Sequence, residues 1–138
     1  MIRELIRHPV LYLQAAIAVV CAARRVRQLE PQLAFDELVR RLRSEAGWTA
    51  RLATPQSQAR AANRLLPLLA PRDMGICLKR SLVLVHLWTA HGLSPRLHLG
   101  LRLRDDKVPD GHAWLTVDDP EVASFTGAQG NCRETLVL

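Results

Sequence analysis

Cys77-Leu-Lys-Arg-Ser-Leu-Val-Leu-Val-His-Leu-Trp-Thr-Ala90 is the stretch on which the fold turns. Leu78, Leu82, Val83, Leu84, Val85, Leu87 and Trp88 leave only Lys79, Arg80 and His86 as a thin polar side, and a helix that is apolar nearly all round is a buried one. The spacing predicts a central helix over 77–90, closed by His91-Gly92. Its first residue is a thiol. Pro71 to Gly75 reads as a loop, so Cys77 stands at a helix N-terminus, where unpaired backbone N–H groups and the positive end of the dipole favour a thiolate over a thiol.

Downstream, Arg96 to Arg104 alternates without a fault, with Leu97, Leu99, Leu101 and Leu103 on one face and Arg96, His98, Arg102 and Arg104 on the other. That period of two is a strand half-buried against a core. A turn over Asp105 to Gly111 leads to a second strand, His112 to Val117, which places His112, Trp114 and Thr116 on one face and Ala113, Leu115 and Val117 on the other. Asp118-Asp119-Pro120 turns again, and a third strand around Val122 to Thr126 completes a small antiparallel sheet against the Cys77 helix.

Upstream the chain reads as helical. His8-Pro9 opens a helix over Val10 to Gln28, with proline preset for the first turn. Ala34 to Ala46 carries Phe35, Leu38, Val39 and Leu42 on one face, with Gly47 as its cap. Thr54-Pro55 starts a third helix, threonine as N-cap, that runs to about Leu69 with a kink at Pro67. The expected organisation is a helical lead-in over 1–70 packed on a core over 71–138, one structural unit of the α+β class.

With 138 residues, 49% of them apolar and 23% charged, the chain has the make-up of a single globular domain. Its net charge of +6 and pI near 10.2 are mostly arginine. Attraction to an acidic peptide or a membrane surface follows; no nucleic-acid motif or interleaved aromatic accompanies the charge, so nucleic acid is not an expected partner. Cys21, Cys77 and Cys132 are odd in number and widely spaced, which fits free thiols in a reducing cytoplasm better than a disulfide framework. The apolar stretch from Pro9 to Ala23 falls short of the roughly 20 residues that span a bilayer and is read as a docked amphipathic or membrane-surface helix. No spacing of Cys, His and acidic residues points to a metal, and no cofactor is implied.

A thiol at a helix start followed by an imidazole on a strand is the arrangement by which papain-like and transglutaminase-like folds build a nucleophile. Gly-Ile-Cys-Leu-Lys-Arg-Ser-Leu over 75–82, Gly-Leu-Ser-Pro-Arg-Leu-His-Leu-Gly-Leu over 92–101 and Gly-His-Ala-Trp over 111–114 together resemble the transglutaminase-like leader peptidases of lasso-peptide biosynthesis, the family of the C-terminal domain of the microcin maturation protease. The resemblance covers about residues 70–125. It implies a cysteine peptidase that removes the leader from a ribosomally made precursor, with Cys77 as nucleophile and His112 as general base. It also implies a separate leader-recognition protein and a lasso cyclase as partners.

The family pattern places an aspartate twelve residues after the histidine, where this chain has Ser124. The third member therefore does not carry over: a hairpin at Asp118 to Pro120 would return Ser124 to His112, and Ser124, Glu121, Asn131 or no residue at all remain open for that place. Trp114 and His98 are expected to line the cleft, although burial of Trp114 on the sheet suits its apolar character better. A degenerate homologue that binds precursor without cutting it is the alternative function. An inert core thiol is the plain alternative for Cys77.

Overall fold

The computed structural model describes residues 8–69, 75–103, 109–126 and 133–138. Helix α1 spans Pro9–Leu29, α2 Phe35–Ser44, α3 Pro55–Leu69 and α4 Ile76–Ala90; strands β1 (Arg96–Leu103) and β2 (Pro109–Thr116), a short α5 (Pro120–Ala123) and β3 (Arg133–Val137) follow. Short 3-10 turns at Glu30–Gln32 and Trp48–Arg51 separate the first helices.

Helix α4 is the axis of the molecule, as its composition requires. Leu82, Val83, Leu84, Val85, Leu87 and Trp88 are all fully buried. Helices α1, α2 and α3 and strands β1 and β2 all pack against it. The small residues of α1, Ala15, Ala18 and Ala22 with Val19, are sealed in that contact, where the absence of bulk lets helix axes approach closely. Tethers between elements then fix the helices around it. Trp88 donates its indole N–H to the carbonyl of Pro55 (3.1 Å). Gln58, also fully buried, donates to the carbonyls of Ala50 (2.8 Å) and Leu52 (2.9 Å), holding the 3-10 turn that the sequence read only as a connection. The Nδ1–H of His86 donates to the carbonyl of Leu42 (2.8 Å) and joins α4 to α2.

The ends of the helices follow local chemistry. The Thr54 hydroxyl accepts the N–H of Ser57 at 3.2 Å, the expected N-cap. Gly92 takes φ +78 and, with Leu93, returns its N–H to the last turn (Gly92 to Thr89, 3.0 Å; Leu93 to Trp88, 3.1 Å), a paired closure that needs the left-handed residue. The end of α2 differs from expectation. Helix α2 stops at Ser44 with Glu45 at its C-cap, and Gly47 instead precedes the Trp48–Arg51 turn.

The sheet is antiparallel with order β2-β1-β3. Its leucine strand β1 is central, and Leu97 and Leu115, opposite one another, are buried toward the helices. The strand expected over 122–126 does not form. Pro120 favours the first turn of a helix, Asp119 caps it by accepting the N–H of Glu121 (2.9 Å), and a turn through Ser124 follows. The third strand comes later, at Arg133–Val137, and pairs with the other edge of β1; Leu138 exchanges both backbone hydrogen bonds with Leu97 (2.7 and 2.8 Å). Arg43 of α2 donates to the carbonyls of Pro95 and Leu138 (2.9 Å each), tying that edge to the helices.

Candidate active site

Gly75 is the N-cap of α4 and Cys77 lies in its first turn, where no i−4 carbonyl is available to the backbone N–H groups; the first helical bond recorded there is from Lys79 to the Gly75 carbonyl (3.1 Å). The Cys77 side chain is half-buried, not sealed in hydrocarbon. A methyl added at Gly75 would lie 3.7 Å from its sulfur, so the residue before the helix is in contact with the thiol.

Cys77 opens onto a groove of about 500 Å³ between the start of α4 and the sheet. Leu78 forms the rest of the helix wall; Leu99 and Leu101 of β1, Gly111, His112 and Ala113 of β2, and Thr135 of β3 form the other. Cys77 and His112, 35 positions apart in the chain, both border this groove, but alternation along β2 turns the His112 ring to the face of the sheet away from the helices. Strand β2 begins at Pro109, so His112 is inside the strand and not at its start.

Alternation along β2 decides which way each side chain faces. Ala113 and Leu115 are buried toward the helices. His112 and Trp114 share the opposite face, their rings stacked at 5.9 Å and 19°. His98 stacks on the other side of Trp114 at 5.4 Å and 11°. Both nitrogens of His98 are engaged, Nδ1 with a Glu134 carboxylate oxygen and Nε2 with the Thr116 hydroxyl, each at 2.7 Å. Trp114 lies across Gly100, where a methyl would come within 2.9 Å of the indole and 2.8 Å of the Arg133 carbonyl. His98 and Trp114 therefore build a buried aromatic layer on the far face of the sheet. The cleft walls expected of them are supplied instead by Leu78, Leu99 and Leu101, which the strand pattern marked only as core.

Ser124 does not come to His112. It is the exposed C-cap residue of α5. The chain rejoins the sheet two residues later, where Leu115 donates to the Thr126 carbonyl (3.3 Å). From Leu115 back to His112 is about 10 Å of strand. Arg80 fastens this segment: its guanidinium donates to the carbonyls of Phe125 and Thr126 and to the Asn63 side chain. Glu121 is exposed in the first turn of α5. Asn131 and Cys132 lie outside the described residues.

A family model described as the transglutaminase-like superfamily matches residues 15–132. The chain belongs to that superfamily. The match takes in α2 and α3 whole, so the helices that wrap α4 are part of what the family shares, as is the helix-plus-antiparallel-sheet core. The transglutaminase-like superfamily includes cysteine peptidases, consistent with a thiol at the head of the central helix and a histidine across the groove. No match was found among curated proteins or among solved structures.

Proposed function

We propose that this transglutaminase-like protein is a cysteine peptidase that cuts the leader from a ribosomally made lasso-peptide precursor, with Cys77 and His112 as its reacting groups. The observation that supports the reading is the groove that Cys77 and His112 both border: it is open and lined largely by leucine, with the thiol at the helix start and the His112 ring stacked on Trp114 at the edge strand of the sheet. An extended peptide lying along such a groove presents its amide between them.

The Cys77 thiolate attacks the carbonyl carbon, forming a C–S bond; the free N–H groups of the first turn of α4 are oriented to take up charge on the oxygen. Collapse breaks the C–N bond, and the imidazolium of His112 gives its proton to the departing amine. Water, deprotonated by His112, then attacks the thioester carbonyl and returns Cys77 as the leaving group. His112 must reach the sulfur from the face it shares with Trp114. The leader peptide, a separate leader-recognition protein and the lasso cyclase are the partners this reading requires, in the cytoplasm.

The second reading, a precursor-binding module without turnover, is favoured by one observation. Ser124 stands where the resembled family has its acid, and it is exposed in a turn. Incubation with the precursor encoded beside the gene, read by mass spectrometry, separates the two. The peptidase gives leader and core fragments that vanish with Cys77→Ala and with His112→Ala. Iodoacetamide at neutral pH also modifies Cys77 before Cys21, even though Cys21 is the more exposed thiol. Retained binding with no fragments, and Cys21 modified first, establishes the binding module instead.

A further inference from the structure

Charge on this protein divides into two kinds. The arginines of α2 are spoken for: Arg40 pairs with Glu37, Arg41 with Glu37 and Glu45, and Arg43 with backbone carbonyls. Arg25 also pairs with Glu45. Arg24 and Arg27 have no such partner among the described residues, and neither has Lys79.

Lys79 is the unexpected one. It is 4% exposed, yet no carboxylate or carbonyl among the described residues accepts from its ammonium. Its aliphatic stem is covered while its ammonium reaches the groove that it lines, which puts that charge beside Arg24 and Arg27. Lys79 lines a groove of about 90 Å³ with Val20, Ala23, Arg24, Arg27, Leu66 and Leu69. That space admits one small polyatomic anion and is too small for a helix or strand. Two guanidinium forks and one ammonium match the oxygens of a phosphate.

The surface beside the groove says which phosphate. Val10, Leu13, Ile17, Val20, Arg24 and Arg27 recur at steps of three and four along α1, a single helical stripe. Its first half is apolar and open, with Val10 66% and Leu13 61% exposed, and its second half is cationic. By length and composition α1 with the turn after it is sufficient to cross a bilayer. Its opposite face, however, is sealed against the other helices. A helix so placed lies in the plane of an interface, apolar stripe among acyl chains and cations at the headgroups. Leu69, exposed at the groove, and the exposed Leu68 before it add apolar surface.

We propose that Arg24, Arg27 and Lys79 form a binding site for the phosphate of an anionic lipid, which docks the protein on a membrane surface through the outer stripe of α1. Vesicle co-sedimentation tests it, with phosphatidylcholine alone and with equimolar phosphatidylcholine and phosphatidylglycerol. The protein binds the second and not the first. Lys79→Met keeps the aliphatic stem and weakens binding about fivefold, with the fold unchanged by circular dichroism. Leu13→Asp also weakens binding, at unchanged charge in the groove. Binding unaffected by Lys79→Met, or no binding to anionic vesicles, overturns the proposal. Stabilisation by inorganic phosphate without vesicle binding also overturns it, and assigns the groove to a soluble phosphate.

Discussion

From Leu82 to Trp88 every side chain of α4 is buried, whereas Ile76 in its first turn is half exposed and Cys77 opens onto a groove. One helix thus serves as the structural axis at its C-terminal end and, in the proposed reading, presents the nucleophile at the other. The difference comes from what packs on each end. Helices α1 to α3 and their tethers close around the middle and end of α4, while among the described residues Cys77 and Leu78 at its start face the leucines of β1, the beginning of β2 and Thr135 across open space. Stability and chemistry are thereby separated along a single element.

Substitutions at the two ends should therefore differ by several kcal/mol. Trp88→Ala removes the largest fully buried side chain and the bond to Pro55, and should cost about 3–5 kcal/mol in urea denaturation. A loss below about 1 kcal/mol would mean that the sealed end is not sealed. Gly100→Ala, on the sheet that faces the open end, drives a methyl into Trp114 and the Arg133 carbonyl and should cost about 1–3 kcal/mol. Restoration of stability by Trp114→Leu in the same chain would locate the clash.

The sealed end also carries a pH dependence. Burial, with a smaller contribution from Arg25, holds His86 below its ordinary value of 6.5, against the opposing pull of the Leu42 hydrogen bond. The unfolded chain consequently binds the proton first. The stability that neutral His86 contributes is complete above about pH 6.5 and is lost as pH falls below it. His91, shifted the same way by burial and Arg51, adds to the trend. Unfolding temperatures measured on either side of that pH should show the decline, and His86→Gln should flatten it. The smallest effect belongs to the open end: Cys77→Ala should change stability by about 1 kcal/mol or less while eliminating the thiol chemistry. A large loss of stability would mark Cys77 as a packing residue.

The helical half was largely legible because its signals are local. Thr54-Pro55 and Gly92 act through neighbouring residues, and the leucine alternation of β1 reports its own burial. The failures arose where local signals competed. Val122 to Thr126 has strand-forming residues, yet Asp119-Pro120 supplies a cap and first turn immediately before them, and the helix prevails. Loss of that strand also removed the path that was to deliver Ser124 to His112. Lys79 and His86, read as the thin polar side of α4, are buried because α1 and α2 cover that side too, which no period along α4 can reveal.

By itself the sequence determined the buried axis, the thiol at its head and the central strand, since each is encoded in spacing along a few consecutive turns or residues, and three separated motifs carried the resemblance to the superfamily. Only the tertiary structure decided which β-strand edge is paired, that His98 and Trp114 form a layer behind the sheet, that Leu78, Leu99 and Leu101 wall the groove, and that Lys79 is enclosed with two arginines. Those outcomes depend on which surfaces cover one another, and contacts between distant segments are set by the free energy of the whole packing, not by the pattern of any one segment.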